Sequence, residues 1–98
     1  MILLYALLVA ASGDSVPMRN WAVCTGAYVM PRLQAQATEV LVDHAMAACR
    51  REERAALKEW TDQYGVAQGT KIFRGVRVKV REILVRRTAE AKKMRGYR

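Results

Sequence analysis

Apolar residues recur at helical spacing along much of the chain, and the clearest stretch runs from Pro31 to Tyr64. Plotted at about 100° per residue, its apolar positions fall within one arc of roughly 100°, the width of a core-facing helical stripe. These positions are Val42, Met46, Cys49, Ala56, Leu57, Trp60 and Tyr64. Pro31 suits the first turn of a helix, and Gly65 is a natural stop. The pattern predicts one long helix over residues 31–64.

A second helical pattern precedes this stretch. Pro17 opens it, and Trp21, Cys24 and Tyr28 then recur at helical spacing within residues 18–30. The pattern predicts a short helix that packs against the first half of the long one.

Ile2–Ala11 is an unbroken apolar run of ten residues. As a helix it would cover only about 15 Å, half of a ~30 Å hydrocarbon core, so it cannot span a membrane alone. Val9 and Ala11 could form the small-residue cleavage site of a secretory leader, but no basic residue precedes Ile2. We therefore expect a short buried helix here. A helix resting on a partner or on a membrane surface is the alternative.

Two patterns compete near the end of the chain. Val76, Val78 and Val80 alternate with basic residues over six positions, which is typical of a strand. A helical stripe extends over some twenty residues and is favoured for that reason. Its members are Phe73, Val76, Val80, Ile83, Leu84, Ala91 and Met94.

These patterns predict an all-α fold, a small helical bundle or hairpin built around the long helix at about residues 31–64. The chain is then divided into a packed helical region over 1–64, a Gly-containing linker over 65–75 and a basic C-terminal helix or tail over 76–98. Ninety-eight residues form one domain at most, with a modest core.

The basic charge is confined to one end of the chain. Residues 71–98 hold eleven Lys or Arg against two Glu, a net charge of +9, whereas residues 1–70 carry −1. Such segregation favours a polyanionic partner, because charge needed only for solubility has no reason to collect in one segment. RNA is the leading partner, and an anionic membrane surface is the alternative. The predicted polyanion-binding residues are Arg74, Arg77, Lys79, Arg81, Arg86, Lys92, Lys93, Arg95 and Arg98.

Candidate catalytic and metal-binding groups are few. His44 is the only histidine, and on a helix it points away from Cys49. Cys24 and Cys49 have no C-x-x-C spacing and no second histidine for zinc, so we expect two reduced, partly buried thiols. No nucleotide-binding motif occurs. The sequence predicts a protein that is not an enzyme, with no catalytic or metal site, no cofactor and no small-molecule substrate.

Two short patterns resemble known helical families. Gly69, followed by Val80-Arg81 and Leu84 after a long helix, resembles the helical-hairpin protein at the tunnel exit of the large ribosomal subunit. Leu4-Tyr5, with a long third helix, resembles the mitochondrial LYR proteins, although Ala6 stands where that motif has Arg. Neither family is adopted, but both resemblances imply a small helical subunit of a large assembly.

The sequence therefore predicts a non-catalytic, small basic subunit of a larger assembly, foremost a ribonucleoprotein of the ribosomal type whose tail contacts RNA. The alternative is an accessory subunit of a mitochondrial inner-membrane respiratory or ATP synthase complex, with the tail on lipid headgroups or neighbouring subunits. Val42, Met46, Trp60 and Tyr64 are the residues expected to pack against protein partners. An intracellular, mitochondrial location is expected.

Overall fold

The structure, a computed structural model, describes residues 15–96. Four α-helices make up this part of the chain: α1 over Val16–Val29, α2 over Thr38–Ala48, α3 over Arg50–Tyr64 and α4 over Val66–Met94. A 3-10 turn over Met30–Arg32 follows α1. The all-α prediction is confirmed, and residues 76–81 are helical rather than a strand. The expectation for Ile2–Ala11 lies outside the described residues.

Local sequence explains where α1 begins. The Ser15 hydroxyl accepts a hydrogen bond from the Met18 backbone N–H at 3.2 Å, and Pro17 lies in the first turn. A serine cap satisfies an N–H group that would otherwise lack a partner, and proline is tolerated there because that N–H is free in any case. The predicted helix over residues 18–30 is therefore present.

The predicted long helix over residues 31–64 is divided. Residues 33–37 form a turn in which Leu33 is buried, and α2 begins only at Thr38. Cys49 then separates α2 from α3 with φ −102° and ψ 26°. Its N–H still bonds to Ala45 and its carbonyl still accepts from Glu53, so the two helices are nearly continuous.

Gly65 alone separates α3 from α4. Its φ of 86° and ψ of 160° belong to a region that is essentially open only to glycine, which allows the chain to reverse within one residue. The predicted stop at Gly65 is correct. The predicted linker over residues 65–75 is not present, because α4 begins at Val66 and continues through Gly69 and Gly75.

The core lies between all four helices. Trp21 of α1 stacks on Phe73 of α4, with 5.4 Å between the ring centroids. Around this pair lie buried residues of every helix: Met18, Ala22, Val42, Met46, Cys49, Ala56, Val80, Ile83 and Leu84. Val29, Leu33, Leu41 and Ala45 form a second, separate cluster of buried residues. Helix α4 therefore packs along its length and presents its opposite side to solvent.

Candidate polyanion-binding surface

On one side of α4, the basic side chains form hydrogen bonds and ion pairs with other parts of the bundle. The Arg77 Nε atom lies 3.2 Å from a carboxylate oxygen of Glu53 in α3. Arg81 donates two hydrogen bonds to Asp43 of α2, at 2.8 and 3.2 Å. The Lys92 ammonium is buried and donates to the Gln36 carbonyl. Three predicted polyanion-binding residues, Arg77, Arg81 and Lys92, are thus engaged within the molecule.

The opposite side of α4 carries a line of exposed cations that we call the cationic ridge: Lys71, Lys79, Arg86 and Lys93. These positions are separated by eight, seven and seven residues, so at about 100° per residue they lie within an arc of roughly 80° of the helix. The four side chains therefore share one face and lie opposite the buried Val80 and Leu84.

The ridge is long and only slightly neutralised. Its 22-residue span corresponds to about 33 Å at 1.5 Å per residue. Within residues 15–96, Lys71, Arg86 and Lys93 have no acidic partner, and Lys79 lies 3.8 Å from Glu82. Glu90 borders the same face but pairs with Arg87 at 2.8 Å. Both members of the Lys79–Glu82 pair are more than 60% exposed, so water screens it.

Small and apolar residues lie between the ridge cations. Gly75, Val78 and Ala89 are all exposed, and Val78 is 57% accessible to solvent. This face therefore carries few bulky groups that would keep a flat anionic surface away from the cations.

Further exposed cations lie outside the ridge. Arg74 and Arg95 have no acidic partner among the described residues, and neither do Arg50, Arg51 and Arg54 at the start of α3. Of the predicted binding residues, Arg74, Lys79, Arg86, Lys93 and Arg95 are exposed, Arg98 lies outside the described residues, and their role in binding stays a prediction. Lys71 and the three α3 arginines are exposed cations that the predicted set did not include. The spacing of the ridge cations could have identified Lys71 from the sequence. The α3 arginines could not be identified by charge, because acidic residues balance them and the net charge of residues 1–70 is −1.

The predicted partner-packing residues have different surroundings. Val42 and Met46 are buried in the core of the bundle itself, so they are not available to a partner. Trp60 is half-buried against the core, and Tyr64 is exposed and stacks on it at 5.8 Å between centroids. This aromatic pair borders an open groove of about 780 Å³ whose other wall includes Ser15 and Pro17.

The cysteine prediction is wrong. Cys24 of α1 and Cys49, at the α2–α3 junction, form a disulfide with 5.9 Å between their Cα atoms. The interruption at Cys49 lies beside α1, and only the packing of the helices brings the two sulfur atoms together. Glu52 lies close to both sulfur atoms, but these are bonded to each other and are not the thiolates that a metal would need.

Within the part of the chain that the structure describes, His44 and the acidic residues do not assemble into a recognisable catalytic group. His44 is exposed, and its Nδ1 atom lies 2.9 Å from the amide oxygen of Gln36. Glu53, Asp62 and Glu90 each pair with a cation. The absence of an enzymatic activity stays a prediction.

The Asp43–Arg81 pair predicts a pH dependence. Hydrogen bonding from Arg81 lowers the pKa of the Asp43 carboxyl below its ordinary value. A carboxyl whose folded-state pKa is lowered stabilises the fold above its unfolded-state pKa, and this contribution is lost as the pH falls through the folded-state pKa. We expect Asp43→Asn to lower the unfolding free energy slightly at neutral pH and to match the wild type below that folded-state pKa, as measured by chemical denaturation.

The control for this prediction is Arg81→Gln, followed by NMR titration of the Asp43 carboxyl. The pKa should return toward its ordinary value in this variant, because its main hydrogen-bond donor is gone. An unchanged pKa would show that the pair is not formed in solution.

The fold and surface define a small disulfide-bonded, all-α bundle with one cationic helix face. No known protein family, curated protein or solved structure matches this chain. Among residues 15–96, every helix is too short or too polar to cross a bilayer.

Proposed function

We propose that this protein is a non-catalytic helical module that binds an anionic membrane surface through the cationic ridge. The observation that carries the proposal is the line of Lys71, Lys79, Arg86 and Lys93 along the outer side of α4, opposite the core. Basic residues near an anionic leaflet each contribute about 1 kcal/mol of attraction. Because the four cations share one face of a single helix over about 33 Å, all four can approach one flat surface together.

The disulfide is the reason for choosing lipid over RNA. Disulfides persist in secreted, periplasmic and ER-lumenal proteins and are rare in the reducing cytosol and nucleus. The Cys24–Cys49 bond therefore favours an oxidising compartment. Membrane headgroups border every such compartment, whereas ribosomal RNA is held in a reducing one. An accessory subunit of a mitochondrial or other membrane complex is one setting for this surface.

A ribonucleoprotein subunit is the second candidate, and a different observation favours it. Most of the exposed cations that have no acidic partner within residues 15–96 are arginines: Arg32, Arg50, Arg51, Arg54, Arg74, Arg86 and Arg95. The planar guanidinium group forms bidentate bonds to phosphate, which suits an RNA backbone. Lipid phosphates accept the same bonds, so this observation does not outweigh the disulfide.

The test is binding to phosphatidylcholine vesicles with and without phosphatidylglycerol, measured by co-sedimentation. A ridge variant replaces Lys71, Lys79, Arg86 and Lys93 by Gln. At about 1 kcal/mol per cation, we expect it to bind anionic vesicles roughly a thousandfold more weakly than the wild type. Its helix content should be unchanged, because the four side chains are exposed and none is in the core.

The matched control removes the same charge from another face, by Arg50→Gln, Arg51→Gln, Arg54→Gln and Lys58→Gln in α3. These cations belong to α3 and leave the four ridge cations in place, so this variant should stay within about tenfold of the wild type. Equal losses in the two variants would contradict a specific role for the ridge. If a structured RNA binds more tightly than the vesicles and displaces the protein from them, the ribonucleoprotein candidate replaces the membrane one.

A further inference from the structure

Three metal-ligating side chains meet where α1 packs against the α2–α3 junction. Cys24 of α1, Cys49 at the junction and Glu52 in the first turn of α3 each offer one ligand atom, and these atoms all lie within 4.8 Å of one another. In a tetrahedral zinc site with Zn–S bonds of about 2.3 Å and Zn–O bonds of about 2.1 Å, neighbouring ligand atoms lie roughly 3.6–3.8 Å apart. Small side-chain movements therefore bring the three groups to a zinc-binding geometry.

The disulfide is one of two states that these cysteines can adopt. Cysteine enters the chain as a thiol, so a dithiol form precedes the bond, and a dithiol reductant regenerates it by thiol–disulfide exchange. The exchange yields two protein thiols and leaves the reductant as its own disulfide, so electrons and protons balance. In this reduced form Cys24 and Cys49 offer two soft sulfur ligands, a donor type that suits Zn²⁺.

We infer that the reduced protein binds one Zn²⁺ ion through Cys24, Cys49 and Glu52. Zinc displaces the two thiol protons, which pass to solvent, and a water molecule takes the fourth tetrahedral position. The bound ion links α1 to the α2–α3 junction, as the disulfide does in the oxidised protein. The inference does not depend on polyanion binding by the ridge.

The surroundings of the three residues suit a bound metal. Cys49 is fully buried, whereas Cys24 and Glu52 are half-buried, so an ion can reach the site from the surface. Cys49 is also the N-cap residue of α3, and negative charge is favourable at the N-terminus of a helix. Two thiolates and one carboxylate exceed the charge of zinc by one negative unit, and Arg50 and Arg51 in the same helical turn offset it.

Oxidation releases the metal in this scheme. A disulfide oxidant accepts two electrons from the two thiolates, takes up two protons from solvent and leaves as a dithiol, while the Cys24–Cys49 bond forms. Zinc then dissociates, because the thiolates that held it are gone. The same junction is therefore cross-linked by a metal in the reduced protein and by a covalent bond in the oxidised one.

The test uses the full chain, reduced with a phosphine under anaerobic conditions, with Co²⁺ as a coloured probe and Zn²⁺ as its competitor. We expect one Co²⁺ per chain, absorption from thiolate-to-cobalt charge transfer, and displacement by one equivalent of Zn²⁺. Zinc at about 100 times its Kd should raise the Tm of the reduced protein by about 10 °C, because it binds the folded arrangement more tightly than the unfolded chain. The oxidised protein should bind neither ion.

Two variants in α3 identify the carboxylate ligand. Glu52→Gln should weaken the binding of both ions by at least about tenfold, since a neutral amide replaces an anionic ligand. Glu59→Gln is the matched control and should bind like the wild type. Glu59 is also half-buried and lies seven residues further along the same helix, but it does not belong to the cluster.

Three results would overturn the inference: no stoichiometric metal on the reduced wild type, equal binding by Glu52→Gln and Glu59→Gln, or equally tight zinc binding by the oxidised protein. If reduction unfolds the bundle, zinc should restore its helical circular dichroism, and failure to do so also contradicts the site.

Discussion

Replacing Cys24 and Cys49 together by alanine is expected to lower the free energy of unfolding by about 3.5 kcal/mol. The two cysteines are separated by 25 residues, and a cross-link across a loop of this length removes a large part of the conformational entropy of the unfolded chain. Cys49 is also completely buried, so its replacement leaves a small additional void. The measurement is chemical denaturation of the purified, oxidised protein.

The wild type in the presence of a thiol reductant is the control for this prediction. Reduction breaks the cross-link but keeps both side chains, so it should reproduce most of the loss seen in the double variant. If both samples unfold within about 1 kcal/mol of the oxidised protein, the cross-link contributes far less than its loop length requires. A bundle of this size has a total stability of about 5–15 kcal/mol, so the predicted loss is a large fraction of it.

The second large effect concerns two glycines in the same helix. A Cβ atom added at Gly69 would lie 2.6 Å from the Thr61 Cα atom and 2.6 Å from the Trp60 carbonyl oxygen, both backbone atoms of α3. The helices would have to separate, so Gly69→Ala should lower the free energy of unfolding by about 1–3 kcal/mol. A Cβ added at Gly75 meets nothing within 4 Å, and Gly75→Ala should raise that free energy by about 0.5–1 kcal/mol.

Opposite signs for the same substitution, six residues apart, test the packing of α3 against α4 directly. Thermal or chemical denaturation of both variants is sufficient. If Gly69→Ala also stabilises the protein, the two backbones do not approach as closely as the structure requires. If Gly75→Ala destabilises it, that position has a contact that residues 15–96 do not provide.

Helical periodicity was sufficient to predict the fold class. The stripe that includes Phe73, Val80 and Leu84 marked α4, and the spacing of Trp21, Cys24 and Tyr28 marked α1. A repeat of 3.6 residues depends only on which side of one helix is buried, so it can be read without knowing the neighbouring helices.

Features that depend on helix packing were not predicted. Gly69 and Gly75 indicated a linker because glycine costs about 1 kcal/mol in a helix relative to alanine. At position 69 the close approach of α3 leaves no room for a Cβ atom and so explains why glycine is present there. Nothing in the structure explains the glycine at position 75. The disulfide likewise depends on how α1 lies against Cys49, which no local pattern reports.

The candidate surface was predicted in part. The concentration of basic residues in the last quarter of the chain was visible, but the division of their roles was not. Arg77 and Arg81 pair with Glu53 and Asp43, which lie 24 and 38 residues away in the sequence. Only the packing of α4 on α2 and α3 separates these structural cations from the exposed ridge.

Amide chemical-shift mapping tests most directly whether the ridge is the surface that meets the polyanion. The oxidised protein is titrated with phospholipid bicelles that contain phosphatidylglycerol. We expect the largest perturbations around Lys71, Lys79, Arg86 and Lys93. Perturbations centred instead on the groove at Trp60 and Tyr64, or equal shifts with neutral bicelles, would contradict this role of the ridge.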